Sequence, residues 1–263
     1  MKVKDLLKIN KEVSLISLSY LTNKSKIYYL LNQNEEIEEK ISNKILEIIE
    51  KEKNGIPLQY AIGKRNFYGI DFFVDNRALI PRYETEIMVE KIINSDWNKE
   101  KILDIGTGSG VIALTLSYFL KNSSILACDI SEDALNLAKK NKDNLKIKNV
   151  KFIKSDIYEN IKGKFNIIVS NPPYIDKEDM KKLDRKLAYE PQNALYGGED
   201  GLYFYRNIIK NSIYYLAQRG IIILEIGYNQ RKRVEELLKD SNFKNINCIK
   251  DYNNFDRIIY ANL

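Results

Sequence analysis

The hydrophobic pattern of the chain changes near residue 56. Before that point, isoleucines 37, 41, 45 and 48 recur every three or four residues, with glutamate and lysine between them. This spacing predicts amphipathic helices over residues 1–55, and no proline interrupts them before Pro57. We therefore expect a small N-terminal helical domain over residues 1–62, and its apolar residues are expected to form a core.

A different pattern covers residues 63–80. Aromatic and apolar residues alternate with polar ones around Gly69, which is typical of a β-hairpin. We expect this hairpin to connect the helical domain to a second domain over residues 81–263. Residues 80–86 are predicted to precede a helix that ends near residue 93, and Thr85 and Glu86 could start that helix.

From Lys101 onward, short apolar runs alternate with helical segments. Strands are predicted at 102–105, 125–129, 150–153, 165–170 and 220–226, with two more near 243–250 and 255–262. Helices are predicted at 111–120, 131–145 and 229–240. Alternating strands and helices indicate an α/β fold with a mostly parallel sheet and helices on both faces.

Composition narrows the class of protein. The 263 residues, 44% of them hydrophobic, suffice for one large domain or an ordinary domain with a smaller partner. No apolar run reaches roughly 18 residues, and the charged N-terminal stretch does not resemble a signal peptide, so we expect a cytoplasmic protein without a membrane partner. The chain has no histidine, and Cys128 and Cys248 lie far apart, so neither a metal site nor an imidazole base is expected.

The charge is modest and evenly spread. The net charge is +6, and residues 1–60 carry ten lysines and nine acidic residues. A nucleic-acid-binding arm would be strongly basic, so we do not expect a stable nucleic-acid partner.

A glycine turn, Gly106-Thr107-Gly108-Ser109-Gly110, follows the first predicted strand of the sheet. Open α/β sheets bind ligands beyond the carboxyl ends of their strands. The spacing differs from the Gly-x-Gly-x-x-Gly of dinucleotide-binding proteins, because position 111 is valine. This spacing favours S-adenosylmethionine, a nucleoside without phosphate. NAD is the second possibility, but the sequence also lacks a residue that would handle hydride transfer.

Acidic residues end the first three strands of the predicted sheet. Asp129 ends the second strand, where a carboxylate can accept hydrogen bonds from two ribose hydroxyls. Asp156 and Ile157 follow the third strand and can border an adenine, one as an acceptor and the other as an apolar face. Together with the glycine turn, these residues predict a cofactor site.

The most informative motif is Asn171-Pro172-Pro173-Tyr174, directly after the fourth strand. Two prolines cannot donate ladder hydrogen bonds, so the strand ends there, and they hold the preceding residues extended. The result is a stiff polar tip. Its amide, proline carbonyl and aromatic ring suit a planar NH2 group, with Asn171 facing both the methyl donor and the substrate.

These motifs resemble those of the release-factor glutamine methyltransferases of the PrmC/HemK type. The resemblance covers nearly the whole chain, including the helical N-terminal part. It rests on four segments: Leu79-Ile80-Pro81-Arg82 with Glu84-Thr85-Glu86, residues 102–110, residues 171–176, and Tyr189-Glu190-Pro191. One departure is Tyr83, where the family usually has proline.

The resemblance implies a class I methyltransferase fold, Rossmann-like, with S-adenosyl-L-methionine as cofactor and S-adenosyl-L-homocysteine as product. The implied substrate is the glutamine of the Gly-Gly-Gln motif in class I peptide chain release factors, and the product is N5-methylglutamine. Cofactor contacts carry over to 106–110, Asp129 and Ile157. Substrate contacts carry over to residues 171–174, and Arg82 is a further candidate. Glu190 and Pro191 are secondary candidates near the substrate entrance, and residues 1–62 are expected to recognise the release factor.

Two other functions stay open at this point. Adenine-N6 and guanine-N2 nucleic-acid methyltransferases share the Asn-Pro-Pro-Tyr motif, but they need a basic, aromatic surface for a flipped base. A non-catalytic binding module could keep the fold, although the intact motifs argue against it. The sequence does not settle the oligomeric state, and we expect a monomer.

Overall fold

A computed structural model describes residues 1–184 and 187–263 of the chain. The chain divides into two compact units. The first comprises Met1–Lys64 with Asp184–Tyr189, and the second comprises Arg65–Leu183 with Glu190–Leu263. None of the helices in the described residues is long and apolar enough to cross a membrane.

The first unit is helical, as predicted. Its helices are α1 (Val3–Ile9), α2 (Lys11–Thr22), α3 (Lys26–Leu31), α4 (Glu39–Lys53) and α5 (Leu58–Ile62). Ile45 and Ile48, predicted to share one face, are both fully buried in its core. Ile37 is also buried but precedes α4, so the periodic pattern extends one turn beyond the helix itself.

The second unit contains a hairpin followed by alternating strands and helices. Its elements are β1 (Lys64–Phe67), β2 (Ile70–Phe73), α6 (Tyr83–Asn94), β3 (Lys101–Ile105), α7 (Val111–Phe119), β4 (Ser124–Asp129), α8 (Glu132–Asn144), β5 (Val150–Lys154), β6 (Phe165–Ser170), α9 (Lys177–Met180), α10 (Tyr203–Ser212), β7 (Leu216–Glu225), α11 (Arg231–Asp240), β8 (Lys244–Lys250) and β9 (Asp256–Asn262). The hairpin packs with this unit, because Phe67 and Phe72 are fully buried in its core.

Seven strands form the main sheet in the order β5-β4-β3-β6-β7-β9-β8. The first five pair in parallel, whereas β9 runs antiparallel to β7 and β8 antiparallel to β9. This is the predicted mostly parallel sheet. The order reverses between β3 and β6, so the glycine turn and the Asn-Pro-Pro-Tyr tip follow adjacent strands at the switch point, where such sheets bind ligands.

Two cores cover the two faces of the sheet. Ile102 joins one core with α6 and α7, while its neighbour Leu103 joins the other with α10 and α11. Successive side chains of a strand point to opposite faces, so strands buried on both sides appear as unbroken apolar runs in the sequence.

Helix α10 is an element that the strand-and-helix pattern did not predict. Its residues Tyr205, Ile208, Ile209 and Ser212 are buried at helical spacing. Strand β7 also begins four residues before the predicted Gly220. A helix between β6 and β7 is what a parallel crossover requires, so topology could have revealed it.

Candidate active site

A cavity of about 380 Å³ opens at the carboxyl edge of the sheet. It brings together eleven of the predicted site residues: Arg82, Gly106, Thr107, Gly108, Ser109, Asp129, Asp156, Ile157, Asn171, Pro172 and Pro173. Within the described parts of the chain, Gly110, Tyr174 and Glu190 are not among the residues that line it.

The glycine turn wraps around the end of β4. The backbone N–H groups of Gly106 and Thr107 both donate to the Cys128 carbonyl, each at 2.9 Å. Gly106 and Gly108 have φ angles of 72° and 55°, in the left-handed region that favours glycine. The turn therefore presents backbone, without side chains at these two positions, to the cavity.

Gly110 has a packing role. A Cβ atom there would lie 3.0 Å from the Leu114 Cδ1 atom and 3.1 Å from the Ala138 Cβ atom. The residue starts α7 at a φ of 85° and lets α7 and α8 approach closely. The third glycine of the turn thus serves helix packing.

Asp104, at the penultimate position of β3, is fully buried. Its Oδ2 atom accepts hydrogen bonds from the Thr107 hydroxyl at 2.6 Å and the Ala113 N–H at 3.2 Å. Its Oδ1 atom has no hydrogen-bond partner among the described residues. Burial raises the pKa of Asp104 to about 7, although both donated hydrogen bonds oppose the shift.

Asp129 ends β4 beside the glycine turn. Its two carboxylate oxygens accept from the Gly108 N–H at 2.8 Å and the Ser131 N–H at 2.9 Å. Burial raises the pKa of this carboxyl. Each oxygen can still accept a further hydrogen bond, so Asp129 both holds the turn and offers acceptors to a ligand. The Ser131 hydroxyl caps α8 by accepting from the Ala134 N–H.

Asp156 and Ile157 follow β5 and line the same cavity. Ile157 has a φ of 46°, an uncommon conformation for a β-branched residue. Its carbonyl accepts from the Ser155 hydroxyl at 3.3 Å and the Cys128 thiol at 3.5 Å. Strain of this kind clusters at ligand sites, and here it turns the chain along the cavity wall.

Asn171 stands at the tip of β6, in the middle of the sheet. Its Nδ2 group donates to the Thr85 hydroxyl oxygen at 3.1 Å. The Thr85 hydroxyl in turn donates to the Oε2 atom of Glu225 at 2.6 Å. Thr85 and Glu225 are 2% and 1% exposed. The three side chains therefore form a short hydrogen-bonded chain from the buried end of β7 to the cavity.

Burial raises the pKa of the Glu225 carboxyl to about 7. The hydrogen bond from Thr85 and the positive charges of Arg257 and Arg82 oppose this shift, whereas the negative charge of Glu84 adds to it. Glu225 lies at the end of β7, so another carboxylate joins those that end β4 and follow β5.

Tyr174 is not among the described residues that line the cavity. Its ring packs against the second core, and its hydroxyl lies 3.5 Å from the Oε1 atom of Glu225. Burial raises the pKa of the Tyr174 phenol, so the group stays protonated and can donate. The structure does not bring this ring beside Asn171 in the cavity wall, and its predicted contact with a substrate amide stays a prediction.

Glu190 and Arg82 form an ion pair. The Glu190 carboxylate accepts from Arg82 Nη2 at 2.6 Å and from the Ile80 backbone N–H at 2.9 Å. The Glu190 side chain is 3% exposed, whereas the Arg82 side chain is 32% exposed. Both oxygens of Glu190 are thus engaged by the 80–82 segment that forms one wall of the cavity, which favours a supporting role over direct substrate binding.

Tyr83 is the first residue of α6, with Arg82 as the N-cap. Proline is favoured at this position because its missing N–H would be unpaired anyway. Tyr83 instead supplies a ring over which the Arg65 guanidinium lies at 4.0 Å. Arg65 also donates to the Pro81 carbonyl at 3.2 Å, so the pair braces the segment before α6.

Several lining residues were not predicted from the sequence. Thr85, which the sequence predicts only as a possible start of a helix, lines the cavity. Glu225, predicted only as part of a strand, does not line it but accepts from the Thr85 hydroxyl. Tyr203 and Phe204 of α10 also line the cavity. A charged residue at the end of the apolar run 221–224 is the signal that could have found Glu225, because Asp129 carries the same signal.

Comparisons with known proteins agree with this geometry. The family described as "Methyltransferase small domain" matches residues 83–199, and the family described as "PrmC N-terminal domain" matches residues 11–63. The chain is 43% identical over 245 residues to the release factor glutamine methyltransferase of Fusobacterium nucleatum, covering 91% of this chain and 69% of that protein. It is 40% identical over 252 residues to that of Clostridium botulinum, covering 93% and 89%.

A solved structure shows a similar fold. It is the crystal structure of a methyltransferase from Pyrococcus furiosus, with a TM-score of 0.58 and 17% sequence identity. The alignment covers 84% of this chain and 98% of that one. This likeness and the sheet order confirm the predicted class I methyltransferase fold.

Proposed function

Because this chain belongs to the release factor glutamine methyltransferases, we propose that it transfers a methyl group from S-adenosylmethionine to a release factor glutamine. The acceptor is the side-chain amide nitrogen of the glutamine in the Gly-Gly-Gln motif. The products are N5-methylglutamine and S-adenosylhomocysteine. The observation that carries the proposal is the position of Asn171, which lines one cavity with the glycine turn and Asp129.

The residues around the cavity fit S-adenosylmethionine. Gly106 and Gly108 present backbone to a ligand that needs close approach. The carboxylates of Asp129 and Asp156 line the cavity and suit a ligand with a positively charged sulfur and an α-ammonium group. When bound, the cofactor supplies a methyl group on a sulfonium, which is reactive without further activation. Asp129 would hold the ribose, and Asp156 with Ile157 the adenine.

An amide nitrogen is a poor nucleophile because its lone pair is delocalised into the carbonyl. The protein must therefore position and polarise it. The Asn171 Oδ1 atom and the Pro172 carbonyl would accept the two N–H groups of the glutamine amide. These contacts aim the nitrogen at the methyl donor and place negative potential where positive charge develops.

Methyl transfer in this site needs no general base from the protein. An amide methylated on nitrogen is acidic enough to lose its proton to water. The chain contains no histidine, which agrees with a mechanism of positioning alone. Arg82 and Glu190 would shape the wall of the substrate entrance, and residues 1–62 would recognise the release factor.

Transfer of labelled methyl groups tests the proposal. The protein is incubated with labelled S-adenosylmethionine and, separately, with a class I release factor, tRNA, rRNA and DNA. We expect label on the release factor alone. A release factor whose motif glutamine is replaced by alanine is the matched control and should stay unlabelled. Label on a nucleic acid instead would support a nucleic-acid amino methyltransferase and refute this function.

A further inference from the structure

The hydrogen bonds of Asn171 decide which end of its amide faces the cavity. A primary amide has an oxygen that accepts and an NH2 group that donates. Only the oxygen can accept from the NH2 group of a glutamine side chain. If the NH2 group of Asn171 faced the substrate, two donors would meet, and the substrate nitrogen would lose its acceptor.

The Thr85 hydroxyl can donate only one hydrogen. An ionised carboxylate accepts and cannot donate, so the hydrogen of Thr85 must point to Glu225, 2.6 Å away. The Thr85 oxygen is then an acceptor toward Asn171, 3.1 Å away. The Asn171 atom beside Thr85 must therefore be the donor Nδ2, which leaves Oδ1 for the cavity.

We propose that Thr85 and the Glu225 carboxylate are positioning residues, which fix the orientation of the Asn171 amide so that its oxygen meets the substrate NH2 group. The inference rests on the proposed function for its catalytic consequence. Neither residue needs to touch the reacting atoms, because both act through Asn171. Burial of Thr85 and Glu225 strengthens the effect, because water does not compete for these hydrogen bonds.

Protonation of Glu225 would reverse the chain of hydrogen bonds. A protonated carboxyl can donate to the Thr85 oxygen, and the Thr85 hydrogen would then turn to Asn171, which must present its oxygen to Thr85. The charged and titratable groups that face Glu225 in the described residues include Arg82 and Glu84 at the start of α6, Tyr174 after β6, Tyr205 on α10 and Arg257 on β9. Burial outweighs the two arginines and raises the pKa of Glu225 to about 7. The rate of methyl transfer should accordingly fall as the pH drops below about 7.

Kinetics of Thr85 variants test the role of the hydroxyl. Thr85→Val keeps the shape and removes the hydroxyl, and we expect kcat to fall roughly 10- to 100-fold with KM nearly unchanged. Thr85→Ser restores the hydroxyl and should recover most of the rate. Thr115→Val is the matched control, because Thr115 is fully buried in α7 and its hydroxyl has no partner in the described part of the chain. A kcat for Thr85→Val equal to that of wild type would overturn the proposal.

The pH profile tests the role of the carboxylate. In wild type, kcat should rise with pH through about 7 as Glu225 ionises. The amide introduced by Glu225→Gln can either donate to Thr85 or accept from it, so the rate should be lower and this rise should disappear. Asp104, whose pKa burial also raises to about 7, is intact in this variant. A rise in Glu225→Gln as large as that of wild type would assign the whole rise to another group, such as Asp104, and contradict the proposal.

Nuclear magnetic resonance tests the same idea without activity. The side-chain NH2 signals of Asn171, assigned by their loss in Asn171→Ala, should shift with pH near 7 and be displaced in Thr85→Val. Asn171 NH2 signals that change neither with pH nor with the Thr85 substitution would overturn the inference, whatever the substrate is. Absence of release factor methylation with the NMR response intact would refute the proposed function and leave the amide orientation supported.

Discussion

Replacing Glu190 with alanine separates a supporting role from a substrate-binding one. The substitution removes both acceptors that hold the 80–82 segment. The Ile80 N–H would be left buried without a partner, because Ile80 is 4% exposed and Glu190 itself is 4% exposed. Arg82 would lose its ion pair but could turn to water, since 32% of its side chain is already exposed.

The magnitude follows from these two contacts. An unpaired buried N–H costs about 1–3 kcal/mol. Breaking a fully buried ion pair costs about 3–5 kcal/mol, and the exposure of Arg82 places this pair well below that range. We therefore expect Glu190→Ala to lower the free energy of unfolding by roughly 2–4 kcal/mol. For a domain of this size, that lowers Tm by roughly 4–16 °C.

Thermal unfolding followed by circular dichroism measures the effect. Glu199→Gln is a matched control, because Glu199 pairs with Lys177 on the surface with 74% of its side chain exposed. That variant should unfold close to the wild-type Tm. An unchanged Tm for Glu190→Ala together with a raised KM for release factor would refute the supporting role and indicate direct substrate contact.

Three further predictions test the cofactor site, the reacting tip and the helical unit. Asp129→Ala should weaken S-adenosylmethionine binding by about 1–3 kcal/mol in calorimetry, and an unchanged affinity would refute its assignment to the ribose. Asn171→Ala should lower kcat roughly 100-fold while cofactor affinity and KM stay near wild type, with Asn171→Asp retaining more activity; equal rates for alanine and wild type would count against the tip. Deleting residues 1–60 should preserve cofactor binding and remove most activity on intact release factor. The deletion also exposes Tyr189, whose hydroxyl donates to the Asn54 carbonyl. Full activity after the deletion would exclude the helical unit from recognition of the release factor.

Much of the fold could be predicted from the sequence because local pattern and topology agree. The strands before the glycine turn and before Asn171 are apolar runs buried on both faces, and each ends at a polar or proline-rich turn. Helix α10 was not predicted because its segment has aromatic and β-branched residues, which are weak helix formers. Only the helical spacing of its buried residues and the need for a crossover between β6 and β7 mark it as a helix.

The site was predictable where one local motif carries it. Asp129 and Asn171 each stand at the end of a strand, and parallel strands bring these ends to one edge. Thr85 and Glu225 act through a contact between α6 and β7 that spans 140 residues of sequence. No local pattern encodes such a pair. The same is true of Glu190, whose partners are 108 and 110 residues away.

The central claim is that this chain methylates the side-chain nitrogen of a release factor glutamine held by Asn171. Tandem mass spectrometry of a release factor, after incubation with S-adenosylmethionine and either wild type or Asn171→Ala, tests it most directly. The account predicts one methyl group on the glutamine of the Gly-Gly-Gln motif with wild type, and very little at the same time point with the variant. A methyl group on another residue, no methyl group from a protein that binds the cofactor, or equal modification by both proteins would contradict it.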